Sequence, residues 1–182
     1  MDFDEVIKKR KMIREYQHDR QIPTDIINKL LRNAHRSPSA GHTQVQEFIV
    51  VIDPITKRKL CQASLGQSQV EDASVLIIVC SNTSRSVDRY RKRGIEFYSI
   101  IDGAFASMII LLSAVNEGIG ASFVGAFLEL CVLSLKIQSK MVSDYRSIRN
   151  IVMSILKFDH RTRHDTLFGN YHSLTYRFDY RV

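Results

Sequence analysis

Proline and glycine are scarce in this chain, three and eight among 182 residues. No stretch is rich enough in either to mark a linker, and no segment repeats, so residues 1–182 read as one domain with length for a substantial core. Cysteine is equally sparse. Cys61, Cys80 and Cys131 are odd in number, far apart and form no CxxC pair. That argues against a disulfide framework or a zinc site, and makes a reducing, cytoplasmic setting the expectation. Cys80 closes the apolar run VLIIVC and reads as a buried thiol. The histidines lack metal-ligand spacing: His160 and His164 stand four apart, but among arginines that disfavour a cation. No HExxH, P-loop or GxSxG pattern is present.

Long unbroken apolar runs are missing too. FYSIIDGAFASMIILLSAV comes nearest, but Asp102 interrupts it and Asn116 and Glu117 bound it, so a buried helix is expected, not a membrane span. The opening MDFDEVIKKRK is acidic at its start, and its apolar stretch is too short for a secretory leader.

What the chain does carry is positive charge. Lys plus Arg number 26 against 19 Asp plus Glu, a net +7. Such an excess suits an anionic partner: nucleic acid, a lipid surface or a phosphorylated cofactor. The cations fall in KKRKMIR, in KRK at 57–59, in RYRKR at 89–93 and in HRTRH at 160–164. A basic nucleic-acid-binding module is one reading of the clusters near 8–14 and 89–93. No recognised binding motif or aromatic-interleaved basic surface accompanies them.

Apolar spacing outlines the elements. Phe3, Val6 and Ile7 start a helix. Thr24-Asp25 serves as cap and first turn of a second, with Ile26, Ile27, Leu30, Leu31 and Ala34 on one face, ending near Ser37-Pro38. EFIVVI is a short buried strand. Asp53-Pro54 opens another helix with Asp as cap and Pro at the first helical position. SVLIIVC (74–80) is a second strand, residues 94–116 a long core helix stopped by the glycines of GIG, and ASFVGAF a short strand before a helix near 128–137. RSIRNIVMSIL reads as a strand, and the tail SLTYRFDYRV alternates as strands do. Mixed helices and strands in this order predict an α+β layered fold around one central sheet.

Three segments carry candidate chemistry. In KKRKMIREY, Arg10 and Arg14 share a face if the segment is helical or turn-like, with Lys11 beside them. Two guanidiniums on one spot suit a phosphate monoester, whereas the plain alternative is a solvated basic helix end. In SPSAGHTQ, Pro38 fixes φ and Ser39, Ala40 and Gly41 keep side chains small, so a flat ligand could approach the backbone, with the Gln44 amide able to read a heterocycle. An ordinary helix-to-strand connection would use the same residues. GIGASFVGAF offers backbone N–H groups at Gly125 and Ala126, but its glycines follow a helix and precede a strand, the wrong context for a dinucleotide fold.

Together these segments resemble the FMN-dependent nitroreductase family. RKMIREY looks like its opening Arg-Arg-Ser-x-Arg-x-Phe/Tyr, and SPSAGHTQVQEFIVV like Ala-Pro-Ser-Ala-Gly-Asn-x-Gln-Pro-Trp-x-Phe. GQSQVEDASVLIIVC resembles the segment closing on Asp-Ala-Pro and a strand. IDGAFASMIILLSAVNEGIGASFVGAF resembles the Asp-x-x-x-Ala helix running into Gly-Leu-Gly-x-x-Trp-x-Gly. The resemblance implies an α/β/α sandwich with a central, mainly antiparallel sheet, an intertwined homodimer, and FMN at the subunit interface.

It further implies that Arg10, Lys11 and Arg14 hold the FMN phosphate and ribityl chain. Met12, where the family usually has Ser, would contribute backbone or apolar contact only. Pro38, Ser39, Ala40 and Gly41 would line the flavin, with Gln44 bonding the cofactor or supporting the loop. Gln67 and Gln69 would reach the polar edge or ribityl chain. Ser122, Phe123, Val124, Gly125 and Ala126 would run past the ring, with Gly125 and Ala126 nearest N5. Arg161 or Arg163, the latter favoured, would complete the phosphate site. Hydride from NADH or NADPH would reach flavin N5, and a small-molecule acceptor would then be reduced in the donor's place. That leaves the protein to position and to stabilise charge, with no catalytic side chain of its own. The expected partners are a second copy and that acceptor, not nucleic acid or a membrane. Reductive dehalogenation and oxygen-dependent flavin breakdown are alternatives within the same fold. The chain departs from the pattern at Val45-Gln46 in place of Pro-Trp, at His42 in place of Asn, at Ser122-Phe123-Val124 where Trp is frequent, and near 155–158, where ILKF lacks a Gly. It has no tryptophan anywhere. These departures bear on the acceptor pocket more than on FMN.

Overall fold

A computed structural model describes residues 1–16 and 21–128, together with the backbone of 148–158. Four antiparallel strands form one sheet in the order β1-β2-β4-β3, with β1 Gln46–Val51, β2 Val75–Asn82, β3 Ile119–Val124 and β4 Ile148–Phe158. The helices are α1 Phe3–Lys9, α2 Thr24–His35, α3 Pro54–Ala63, α4 Ser68–Asp72, α5 Ser84–Arg93 and α6 Ser99–Asn116.

Alternation along the strands splits the core in two. Phe48 and Val50 of β1 pair with Val79 and Ile77 of β2, and this face packs on Ile27, Leu30 and Leu31 of α2 and on Ala106, Ile110 and Ala114 of α6. Ile49, Val51, Leu76, Ile78 and Cys80 point the other way, onto Leu60, Cys61 and Ala63 of α3 and Val70 of α4. Every residue of β2 is therefore buried, which is why its sequence is a continuous apolar run rather than an alternating one. Each fully buried Leu or Ile contributes about 1.5–3 kcal/mol by leaving water. The Ser81 hydroxyl donates to the Ser99 carbonyl at 2.7 Å and seats the start of α6 on β2.

The helix–sheet–helix sandwich matches the expected fold class. Asp53 caps α3 by accepting from the Thr56 N–H at 2.7 Å, with Pro54 at its first position. Gly118, at φ 71°, ends the chain's run out of α6. Two details differ. Pro23, not Thr24, is the N-cap of α2; Thr24 is already helical, and no side chain caps that end. The expected single helix over 94–116 is divided into a wide turn, Gly94–Tyr98, followed by α6. Helix α5 before it was not foreseen, because five of its ten residues are basic and its apolar face is thin. The stretch Ser84–Asn116 is long and apolar enough to cross a membrane by length and composition. It breaks at Arg91 (φ 49°, ψ −133°), and α6 packs on α2, β2, β3 and β4. The helix expected near 128–137 and the alternating tail lie outside the described residues, apart from Leu128.

Candidate functional site

The opening basic segment becomes an extra strand-like edge. Helix α1 closes at Arg10, whose backbone is extended (φ −64°, ψ 118°), and the chain then runs beside β3. Met12 forms a parallel bridge to Ala121, and the Ile13 N–H donates to the Ala121 carbonyl at 3.0 Å. Buried Tyr16 closes the segment: its hydroxyl donates to the Ile13 carbonyl at 2.7 Å and lies 2.9 Å from the Ser122 hydroxyl. Burial pushes the Tyr16 pKa up to about 12, against the smaller opposing effects of the Ser122 bond and the Arg14 charge. Arg10 and Arg14 thus share a side by the two-residue period of a strand, with backbones about 13 Å apart, not by a helical turn. None of Arg10, Lys11 and Arg14 has an ion-pair partner among the described residues. Lys11 and Ile13 also line a cavity of about 430 Å³ with Lys8, Lys9 and Ile119.

At the far end of β3 the strand alternation separates the expected ring-facing residues. Ser122 and Val124 are buried, whereas Phe123, Gly125 and Ala126 are exposed. Only the latter three, and the backbone, are open to a ligand. Half-buried Gln67 is engaged by the protein itself: its side-chain N–H groups donate to the Ser64 carbonyl at 3.0 Å and the Ala126 carbonyl at 2.9 Å, and its carbonyl accepts from Gln69 at 3.0 Å. It fixes the 125–126 backbone from the α3–α4 connection, which leaves Gln69 with the freer amide.

The SPSAGHTQ segment is a tight loop with a short 3-10 turn, Ala40–His42, and three demands on the backbone within four residues: Gly41, His42 and Gln44 all have φ between 48° and 58°. Three neighbours hold it. The buried Asp102 carboxylate of α6 accepts the Ala40 N–H, its two oxygens at 3.1 and 3.2 Å. From α5, Arg89 donates to the Gly41 carbonyl at 3.0 Å and Arg85 to the Gln44 carbonyl at 2.7 Å, while Arg85 also pairs with Glu47 at 2.6 Å. A Cβ at Gly41 would overlap the Tyr90 hydroxyl and crowd Arg89. Gln44 works as a loop support, its N–H on the Ser39 hydroxyl and its side-chain carbonyl accepting from Gln46. Val45 and Gln46, in place of Pro-Trp, are both buried at the entry to β1. Burial raises the Asp102 pKa above the usual carboxylate range, against the opposing bond from Ala40.

The described residues therefore bring 10–16, 67–69 and 121–126 together along one edge of the sheet. Loop 37–44 enters β1 at the opposite edge, three strand spacings or about 14 Å away. Arg161 and Arg163 lie outside the described residues. Asp102, Arg85, Arg89 and Tyr90 were not foreseen as loop partners. A lone carboxylate inside an apolar helix was the signal for Asp102, and the four-residue spacing of Arg85 and Arg89 the signal for a shared helix face.

This is an α+β sandwich with a cationic strand edge, a strained small-residue loop and few carboxylates facing either. Residues 7–74 match the Nitroreductase family. Among solved structures, the chain is 30% identical to a nitroreductase family protein from Clostridium novyi NT, over 88% of this chain and 87% of that one, with a TM-score of 0.74. The chain belongs to the nitroreductase family. It is also 36% identical over 127 residues to a putative NADH dehydrogenase/NAD(P)H nitroreductase of Methanothermobacter thermautotrophicus, an overlap of 70% of this chain and 62% of that protein. A more distant likeness, 24% over 144 residues, covers 65% of this chain and 49% of iodotyrosine deiodinase 1 from Pongo abelii. The chain thus spans less than two thirds of either curated relative.

Proposed function

We propose that this protein is an FMN-dependent oxidoreductase that takes electrons from NADH or NADPH and delivers them to a small conjugated acceptor such as a nitroaromatic or a quinone. The observation that carries this reading is the edge formed by Arg10, Lys11 and Arg14, without carboxylate partners among the described residues, beside the exposed backbone of Gly125 and Ala126. The donor set fits FMN. Guanidiniums and an ammonium suit a phosphate, the Gln69 amide suits a polar ring edge or a ribityl hydroxyl, and bare backbone suits a flat ring. Bound FMN supplies hydride acceptance at N5 and electron release to a second substrate. The chain's own part is to bind and orient. Arg10 and Arg14 hold the phosphate end, with Lys11, which faces the other side of the extended segment, and Arg161 or Arg163 as further candidates. Gln67 keeps the 125–126 backbone in place. Asp102, Arg85 and Arg89 keep loop 37–44 in shape, with Pro38 and Gly41 exposed and Ser39 and Ala40 half-buried.

The two halves of this site lie at opposite sheet edges in one chain, and a homodimer would unite them across copies. The outward face of α6 supports a dimer: Ile100, Phe105 and Met108 are each close to half exposed, as is Ile7 of α1. Such a contiguous apolar face marks an interaction surface. The buried Cys61 and Cys80, both free thiols, support a reducing, cytoplasmic setting. Reductive dehalogenation is a second reading, supported by the likeness to the deiodinase, and product analysis after anaerobic turnover separates it from nitro or quinone reduction.

The test is the visible spectrum of purified protein before and after NADH or NADPH. A flavin spectrum that bleaches with either donor is the expected result, and a colourless protein that takes up no added FMN overturns the reading. Arg10→Ala should weaken FMN retention more than Arg91→Ala; equal losses would remove the phosphate assignment.

A further inference from the structure

Beyond the phosphate edge and the loop, the molecule carries a second basic cluster with a geometry of its own. Arg91 sits in the left-handed region, and the chain reverses there so tightly that a Cβ on Gly94 would lie 2.8 Å from the Ser86 carbonyl oxygen. The reversal lays Tyr98 against Tyr90, with ring centroids 4.7 Å apart. Each ring carries a guanidinium. Arg93 stands 5.3 Å from the Tyr98 ring centroid and 4.9 Å from that of Phe97, and its Nε donates to the Tyr98 hydroxyl at 3.1 Å. Arg89 stands 5.6 Å from the Tyr90 centroid.

Charge pairing within α5 is uneven. Arg85 pairs with Glu47 and Lys92 with Glu96, but Arg89 and Arg93 face no carboxylate among the described residues. Among the described residues each makes one hydrogen bond, to the Gly41 carbonyl and the Tyr98 hydroxyl respectively, out of the five N–H groups a guanidinium carries. Both side chains are exposed. The cluster touches the small-residue loop directly, since Tyr90 and Arg89 stand where a Cβ on Gly41 would lie. It is separate from the Arg10–Arg14 edge, which lies across the sheet.

We propose that Arg89, Tyr90, Arg93 and Tyr98 form a recognition subsite for an aromatic carboxylate, and so bias the acceptor toward planar anions. The acceptor's role rests on the oxidoreductase reading; the binding itself does not. Unpaired guanidiniums grip a carboxylate through two parallel N–H bonds. Tyrosine faces beside them stack on a conjugated ring. A solvated basic helix would need neither the reversal nor the close, tilted tyrosine pair.

Two measurements on the FMN-loaded protein test this. The first is calorimetric titration with benzoate and with benzyl alcohol, neither of which is reduced. The second is NADH- or NADPH-dependent turnover of 4-nitrobenzoate and 4-nitrobenzyl alcohol. The unaltered protein should bind benzoate more tightly and have the higher kcat/KM with the carboxylate. Arg93→Gln should lower the carboxylate-to-alcohol ratio of kcat/KM by about tenfold, mainly through KM, and weaken benzoate by a similar factor. Lys92→Gln, which removes the same charge one residue away, should change that ratio by less than about twofold. Should Arg93→Gln fail to fold, Arg93→Lys, which keeps the charge but not the two-pronged donor, supplies the same comparison. No preference for the carboxylate in the unaltered protein, or equal ratio changes in Arg93→Gln and Lys92→Gln, overturns the proposal. If the protein takes up no FMN, the oxidoreductase reading falls, while benzoate titration of the protein as purified still decides the subsite.

Discussion

Both carboxylate oxygens of Asp102 lie within 3.2 Å of the Ala40 N–H, so the core helix α6 grips the loop that enters β1. The Asp102 pKa is raised, chiefly by burial. A carboxyl group with a raised folded pKa stabilises the fold below its unfolded value, and that contribution is lost as pH rises through the folded value. Asp102→Asn keeps an acceptor for Ala40 without the charge. The stability of the unaltered protein relative to Asp102→Asn should therefore decline from acid toward neutral pH in urea unfolding. A difference that stays flat or grows with pH would contradict the assignment. Asp102→Ala leaves the Ala40 N–H without its partner and should cost about 1–3 kcal/mol.

Gly41 answers to two constraints at once, a φ of 55° and the Tyr90 hydroxyl where a Cβ would stand. Gly41→Ala should cost about 1–3 kcal/mol from backbone strain together with the displaced ring. Tyr90→Phe removes the obstructing oxygen. In a double-mutant cycle the pair should show a coupling of about 0.5 kcal/mol or more, with the Phe background softening the loss. Strictly additive costs would mean that the small side chain is not required by Tyr90.

Tyr16 is the clasp between the opening segment and β3. Tyr16→Phe strands the Ser122 hydroxyl and the Ile13 carbonyl, and should lower stability by about 1–3 kcal/mol in urea titration. With the Tyr16 pKa raised from 10.0 to about 12, its neutral form is the one that fits. Its contribution is full below the unfolded value and lost as pH rises toward 12, so the gap between the two proteins should narrow only in that alkaline window. A gap that narrows between pH 6 and 8 would point to another group.

Where local pattern and burial agreed, the sequence was readable. The apolar run of β2, the Asp53-Pro54 cap and the Gly118 stop all follow from a residue's own preferences, and each stands where expected. The pairing of Arg10 with Arg14 came out on one side for a different reason, since tertiary pairing with Ala121 makes the segment extended. Gln67 could not be read, because its amide is engaged by Ala126, distant in sequence. The reversal at Arg91 was invisible for a related reason. A left-handed arginine has no signature of its own, and only the contact of Gly94 with Ser86 explains it.

Helix α6 is apolar on both sides. Gly103, Ala106, Ile110 and Ala114 face the sheet and α2, while Ile100, Phe105 and Met108 face outward at 46–47% exposure. A helix apolar all round is expected to be covered all round. Each outward side chain contributes about 1.5–3 kcal/mol if fully buried, enough in sum to hold two copies together. Phe105→Glu would place a charge in that interface, where it finds no partner among the outward residues of α6. Sedimentation at micromolar concentration should show a dimer for the unaltered protein and a monomer for Phe105→Glu. Because loop 37–44 and the Arg10–Arg14 edge lie across the sheet from each other within one chain, the monomer should also lose FMN on gel filtration. A dimeric Phe105→Glu protein, or a monomer that retains FMN fully, would show that the two halves of the site do not meet through this face.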